Sequence, residues 1–162
     1  MDQGGLDLRI DELCEADIEE KGFLESLDNL IPGTSALGAQ SAKAVWRRIK
    51  SNPLHKIFVA RVSTGDHAGK DALQVAGTIT LLVEPKFIFN GGMVGHIEDV
   101  SVRNGFERMG IGRILVAHAI KAADELKCVK LVLDCSDETM PFYEKLGFSY
   151  QDNCMKRINS GE

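Results

Sequence analysis

The chain has no CxxC pair. Its four cysteines, Cys14, Cys128, Cys135 and Cys154, fall at spacings that suit neither a zinc site nor a disulfide framework, and they read as buried, reduced thiols. His55, His67, His96 and His118 show no metal-ligand spacing, so no metal is expected. Long apolar runs are missing too. The longest are far too short to cross a bilayer, and no membrane partner is expected. Nor is there a basic surplus. Nineteen Lys and Arg against 24 Asp and Glu leave a formal charge of −5, whereas a nucleic-acid-binding surface would need a basic stripe. The opening "MDQGGLDLRIDE" places an acid where a secretory signal would be basic, and the closing "NSGE" is not a peroxisomal address. A cytoplasmic location is the expectation.

What is present suits one soluble domain over residues 1–162, with 44% hydrophobic and 27% charged residues. "LDLRID" (6–11) alternates as a strand does, and "EADIEEKGFLESLDNLI" (15–31) has helical spacing until Pro32 and Gly33 break it. "SAKAVWRRIK" (41–50) predicts a second helix with Ser41 as N-cap. "KIFVARV" (56–62) and "ALQVAGTITLLVE" (72–84) predict a hairpin joined by polar residues, and "MVGHIEDVSV" (93–102) follows the turn at 90–92. A long helix then opens near Ile111, with Ile114, Leu115, Ala119, Ile120, Ala122 and Ala123 at i, i+3 and i+4 spacings. "KLVLDC" (130–135) reads as a strand buried on both faces, "MPFYEKLGF" (140–148) as a short helix, and "CMKRI" (154–158) as a closing strand. The order β-α-α-β-β-β-α-β-α-β predicts an α/β fold of the α+β kind. It has a mixed sheet with a βαβ unit in its second half.

One turn stands out. In "VRNGFERMGIG" (102–112) two glycines sit one residue apart at the mouth of the long helix, flanked by Arg108 and Arg113. A helix N-terminus offers unpaired amide donors and partial positive charge, and glycine lets an anion such as a diphosphate approach them. Taken alone, the pattern also suits a plain tight turn. A P-loop fits poorly, because Gly112 is followed by Arg113 and Ile114 rather than Lys-Ser/Thr.

Context decides. "VRNGFERMGIGRIL" resembles the acetyl-CoA motif of the GNAT superfamily of N-acetyltransferases, in which Gln/Arg-x-x-Gly-x-Gly/Ala opens the central helix. Gly110 and Gly112 match, while Glu107 stands where the family has Gln or Arg. Four collinear blocks, "EPKFIFNGGMVG" (84–95), "GHIEDVSV" (95–102), "CVKLVLDC" (128–135) and "FYEKLGF" (142–148), resemble the glucosamine 6-phosphate N-acetyltransferase branch. The resemblance implies the GNAT acyl-CoA N-acyltransferase fold, acetyl-CoA as co-substrate and a sugar phosphate as acceptor. It places Arg108, Met109, Gly110, Ile111, Gly112 and Arg113 around the diphosphate and the main chain of Val100, Ser101 and Val102 along the pantetheine. Asp134 and Tyr143 fall near the thioester.

For the chemistry, the resemblance implies Glu98, Asp99 and Asp134 around the sugar amine and Tyr143 as the acid for the leaving thiolate. Adjacent residues of a strand leave opposite faces, so only one of Glu98 and Asp99 is expected to enter a given cleft. Lys86, Phe87, Ile88, Lys130 and Arg157 are implied on the substrate side with Glu98 and Asp99, and Thr34 or Ser35 could reach the sugar. A homodimer whose sites borrow partner residues is also implied. Two other readings stay open: a GNAT enzyme for another amine, such as a polyamine or protein N-terminus, and a non-catalytic acyl-CoA-binding module in which Glu107 weakens diphosphate binding.

Overall fold

Period-two and period-3.6 apolar patterns trade places along the chain, and the secondary structure follows them. A computed structural model describes residues 7–20, 22–63 and 73–158. β1 (Leu8–Glu12) leads into the short helices α1 (Glu15–Glu19) and α2 (Phe23–Leu27), a 3-10 turn at Thr34–Ala36 and α3 (Ala39–Lys50). Next come β2 (His55–Ser63), β3 (Leu73–Pro85), the one-turn α4 (Ile88–Gly91) and β4 (Met93–Val102). The chain continues as α5 (Ile111–Glu125), β5 (Cys128–Val132) and α6 (Met140–Glu144). Among the described residues five strands lie in sequence order, antiparallel from β1 to β4, with β5 parallel to β4 across α5. This is the expected mixed sheet with its βαβ unit. The expected link between β2 and β3, "TGDHAGKD", lies outside the described residues.

β2 and β3 feed two cores by alternation. Phe58, Ala60 and Val62 join Ile79, Leu81 and Val83 beneath Ile111, Leu115, Val116 and Ala119 of α5. Ile57, Val59 and Val75 face the other way, against Ile18, Phe23 and Ala42 of the N-terminal helices. On α5 the buried stripe is rotated from the expected one: Val116 is fully buried and Ile114 is exposed. Asp17, 4% exposed, ties α1 to the sheet through Arg61 Nη2 at 2.7 Å, and Arg61 also reaches Asp11.

The structure corrects several expectations. The helix expected over 15–31 is two helices separated at Gly22, where a Cβ would stand 2.3 Å from the Val75 carbonyl oxygen. α3 starts earlier, with Gly38 rather than Ser41 at its N-cap. "KLVLDC" is not buried on both faces. β5 ends at Val132 and is the sheet edge, with Val129 exposed. Residues 154–158 form no strand, because that edge receives no further segment of the described chain, and Met155 and Ile158 are exposed instead. The cysteines are not buried either: Cys128 is intermediate, and Cys14, Cys135 and Cys154 are exposed.

Candidate active site

β4 and β5 pair from Met93 opposite Cys128 to His96 opposite Val132, and there the ladder stops. β4 runs on to Val102 while the chain after Val132 turns away, so the strands part like a V. Along that open edge, the main chain of Val100, Ser101 and Val102 has no β5 neighbour. The opposite edge of β4 carries a bulge. Thr78 pairs with Ser101 and Thr80 with Glu98, leaving Asp99 and Val100 opposite the single residue Ile79. Asp99 takes a left-handed φ of 51° there. Asp99 lines a cavity under the N-terminal helices, and Glu98 still feels its charge.

Carboxylates gather at this point. Partial burial, then the charges of Asp99 and Asp134, hold the Glu98 carboxyl above the ordinary glutamate range, with His96 opposing. Asp134 lies just beyond the end of β5, and its Oδ2 accepts the Cys154 thiol at 3.1 Å. That bond, before any other influence, pushes the Cys154 thiol up. Tyr143 on α6 is half-buried, edge-on to Phe142 and Phe148 with ring centroids 4.9 and 6.0 Å away. Burial and then Cys135 push its phenol above the ordinary tyrosine value, so it stays protonated through neutral pH.

The glycine turn opens α5 next to the V. Gly110 is the N-cap at φ 78° with no side-chain cap, and the amides of Ile111, Gly112 and Arg113 begin the helix without helical acceptors. Gly105 and Arg108 are left-handed as well, which curls the loop into a concave nest. A Cβ at Gly110 would meet nothing within 4 Å, and one at Gly112 only Phe142 and Val102 carbons at 3.6 and 3.7 Å. The space in front of the helix is an open cradle. Glu107 does not plug it, since its carboxylate accepts the Gly105 amide at 2.7 Å.

A sequence model of the acetyltransferase (GNAT) family matches residues 27–148. The chain belongs to this family. It is 31% identical over 151 residues to the glucosamine 6-phosphate N-acetyltransferase of Trypanosoma brucei brucei, covering 93% of this chain and 95% of that protein. It is 34% identical over 132 residues to the Arabidopsis thaliana enzyme of the same name, covering 81% and 83% of the two chains. A crystal structure of glucosamine-6-phosphate N-acetyltransferase from Arabidopsis thaliana superposes with a TM-score of 0.81 at 31% identity, covering 93% of this chain and 97% of that one.

In this GNAT chain the remaining expected residues are spread more widely. Lys86 pairs with Glu84 at 2.5 Å, and Glu84 also accepts His96 at 3.2 Å. Lys130 holds its ammonium 5.3 Å from the centre of the Phe89 ring. Phe87 and Ile88, at the start of α4, are both exposed. Arg157 is exposed and forms no ion pair among the described residues. Three residues at the site escaped the sequence reading. Cys154 and His96 were visible only as unspaced ligand types, and Asn29 carried no signal at all. The Asn29 amide donates to the Val102 carbonyl at 2.6 Å across 73 residues of sequence. Among the described residues, no helix is long and apolar enough to cross a membrane.

Proposed function

We propose that the chain, acting as one catalytic domain in the cytoplasm, transfers acetyl from acetyl-CoA to the amine of glucosamine 6-phosphate. The products are N-acetylglucosamine 6-phosphate, a precursor of UDP-N-acetylglucosamine, and CoA. The observation that carries this reading is the meeting of three features at one end of β4: the open V, the glycine cradle and the carboxylate group.

The diphosphate of acetyl-CoA sits on the first amides of α5, between Arg108 and Arg113. Its pantetheine runs along Val100–Val102 as an added strand, and a main-chain amide there polarises the thioester carbonyl. A carboxylate of the Glu98–Asp99–Asp134 group takes the ammonium proton, and the freed amine attacks. The C–N bond forms, the C–S bond breaks, and Tyr143 returns a proton to the departing thiolate. Lys86, just after β3, and Lys130, midway along β5, supply cationic charge for the sugar phosphate.

The same reading makes the protein a homodimer. Support comes from the unpaired outer edge of β5 and from Tyr150, Met155 and Ile158, all exposed. Arg157 in that segment then reaches the sugar phosphate across the pair. The deciding experiment mixes purified protein with acetyl-CoA and follows free thiol as glucosamine 6-phosphate, glucosamine or a polyamine is added. Thiol release is expected with the sugar phosphate and at most weakly with the others. Silence with the sugar phosphate overturns the reading.

A further inference from the structure

A cavity of about 160 Å³ lies between the sheet and helices α1 to α3. Its polar lining is Thr34 on the 3-10 turn, Thr78 and Thr80 on β3 and Asp99 on β4, with Thr80 and Asp99 flanking the bulge of β4. The remaining walls are hydrocarbon and aromatic, among them Phe23, Leu27, Trp46 and Ile57. Leu37 and Val45 on its rim are exposed, so the cavity opens to solvent, and walls this apolar suit an apolar occupant. A polyhydroxylated, dianionic sugar phosphate is a poor one, because each hydroxyl buried against these walls would lose its hydrogen bonds. A hydrocarbon chain is a good one. An apolar protein cavity of about 150 Å³ takes up a benzene-sized molecule.

We propose that this cavity is an acyl-chain pocket, and that the enzyme transfers straight-chain acyl groups of about four to six carbons as well as acetyl. The inference rests on the reading above, which puts the donor thioester at the open edge of β4. The carbonyl carbon then lies beside the bulge, and the chain beyond it points through the Thr80–Asp99 mouth into the apolar space. The reaction is unchanged in kind. The amide C–N bond forms, the thioester C–S bond breaks, the ammonium proton goes to the carboxylate group, and CoA leaves as the thiol. No further reactant is needed. A site shaped for acetyl alone would reject the added methylenes. Here each one moves from water into hydrocarbon, worth about fourfold in binding.

The test follows thiol release with glucosamine 6-phosphate and acetyl-, butyryl- or hexanoyl-CoA. Butyryl-CoA is expected to keep at least a tenth of the kcat/KM of acetyl-CoA, and a smaller fraction overturns the inference while leaving the acetyltransferase reading intact. Silence with acetyl-CoA itself overturns that reading and the inference with it. Two substitutions narrow the pocket away from the carboxylates: Ala42→Leu, buried on α3, and Val45→Trp, half-exposed on the same helix. Each should lower the butyryl-to-acetyl ratio at least tenfold while acetyl transfer persists. Val45→Trp serves even if Ala42→Leu fails to fold. An unchanged ratio in folded Val45→Trp places the chain elsewhere and removes the proposal.

Discussion

Asp99 takes φ 51°, a conformation that Asp and Asn tolerate better than most residues bearing a side chain. Because Asn shares that tolerance, Asp99→Asn removes a charge while leaving the bulge of β4 in place. The neighbouring Glu98 is held above its ordinary value by partial burial and then by the Asp99 and Asp134 charges. A base must be ionised to accept a proton, so activity should rise with pH through that elevated ionisation. Removing the Asp99 charge makes ionisation easier, and the acid limb of kcat/KM should move to lower pH. An acid limb that stays in place would count against Glu98 as the titrating group. The acidic residue types at the end of β4 were legible in "GHIEDVSV", but their arrangement was not. A bulge depends on the partner strand skipping a residue, which one strand's own sequence does not record.

The opening turn of α5 was read more fully. Gly110 needs glycine for its left-handed backbone, and Gly112 does not, since its conformation and surroundings would admit a methyl group. Alanine inside a helix is favoured over glycine by about 1 kcal/mol. Gly112→Ala is therefore expected to hold or slightly raise the melting temperature. If a diphosphate uses the open cradle, the same change should raise KM for acetyl-CoA about tenfold or more, the cost of displacing one good charge-assisted hydrogen bond. A stable variant with unchanged KM would show that the cradle is idle. Glu107, a departure from the family pattern, turned out to close the loop on Gly105 rather than oppose an anion. A hydrogen bond back to a residue two places earlier depends on loop curvature, so the motif alone could not show it.

β5 gives the molecule an unfinished edge. Its outer side has no neighbour in the described chain, and the apolar side chains of residues 150–158 stand in solvent. Exposed edges and clustered apolar groups favour association with a second copy. Light scattering is expected to give twice 17.7 kDa, about 35 kDa, and the double variant Met155→Asp, Ile158→Asp should shift the mass toward the monomer. A wild-type monomer at working concentration would overturn the dimer. The expectation of a strand at 154–158 belongs to the same question. Alternating polar and apolar residues mark a segment able to pair, but pairing needs an edge within reach, and among the described residues it forms no such ladder.

The sequence alone determined the order of β1 to β5 around the central helix, the two-faced sheet, the glycine entry to that helix and the acidic residue types gathered at the end of β4. Each of these depends on local spacing: period two, period 3.6, and glycine where backbone must be bare. Only the tertiary structure decided where β4 parts from β5, that Asp99 turns out of register, that Asn29 and Cys154 reach into the site, and that an apolar cavity opens beside the bulge. Those features arise from contacts between residues 20 to 75 positions apart, and no local pattern carries the information for them.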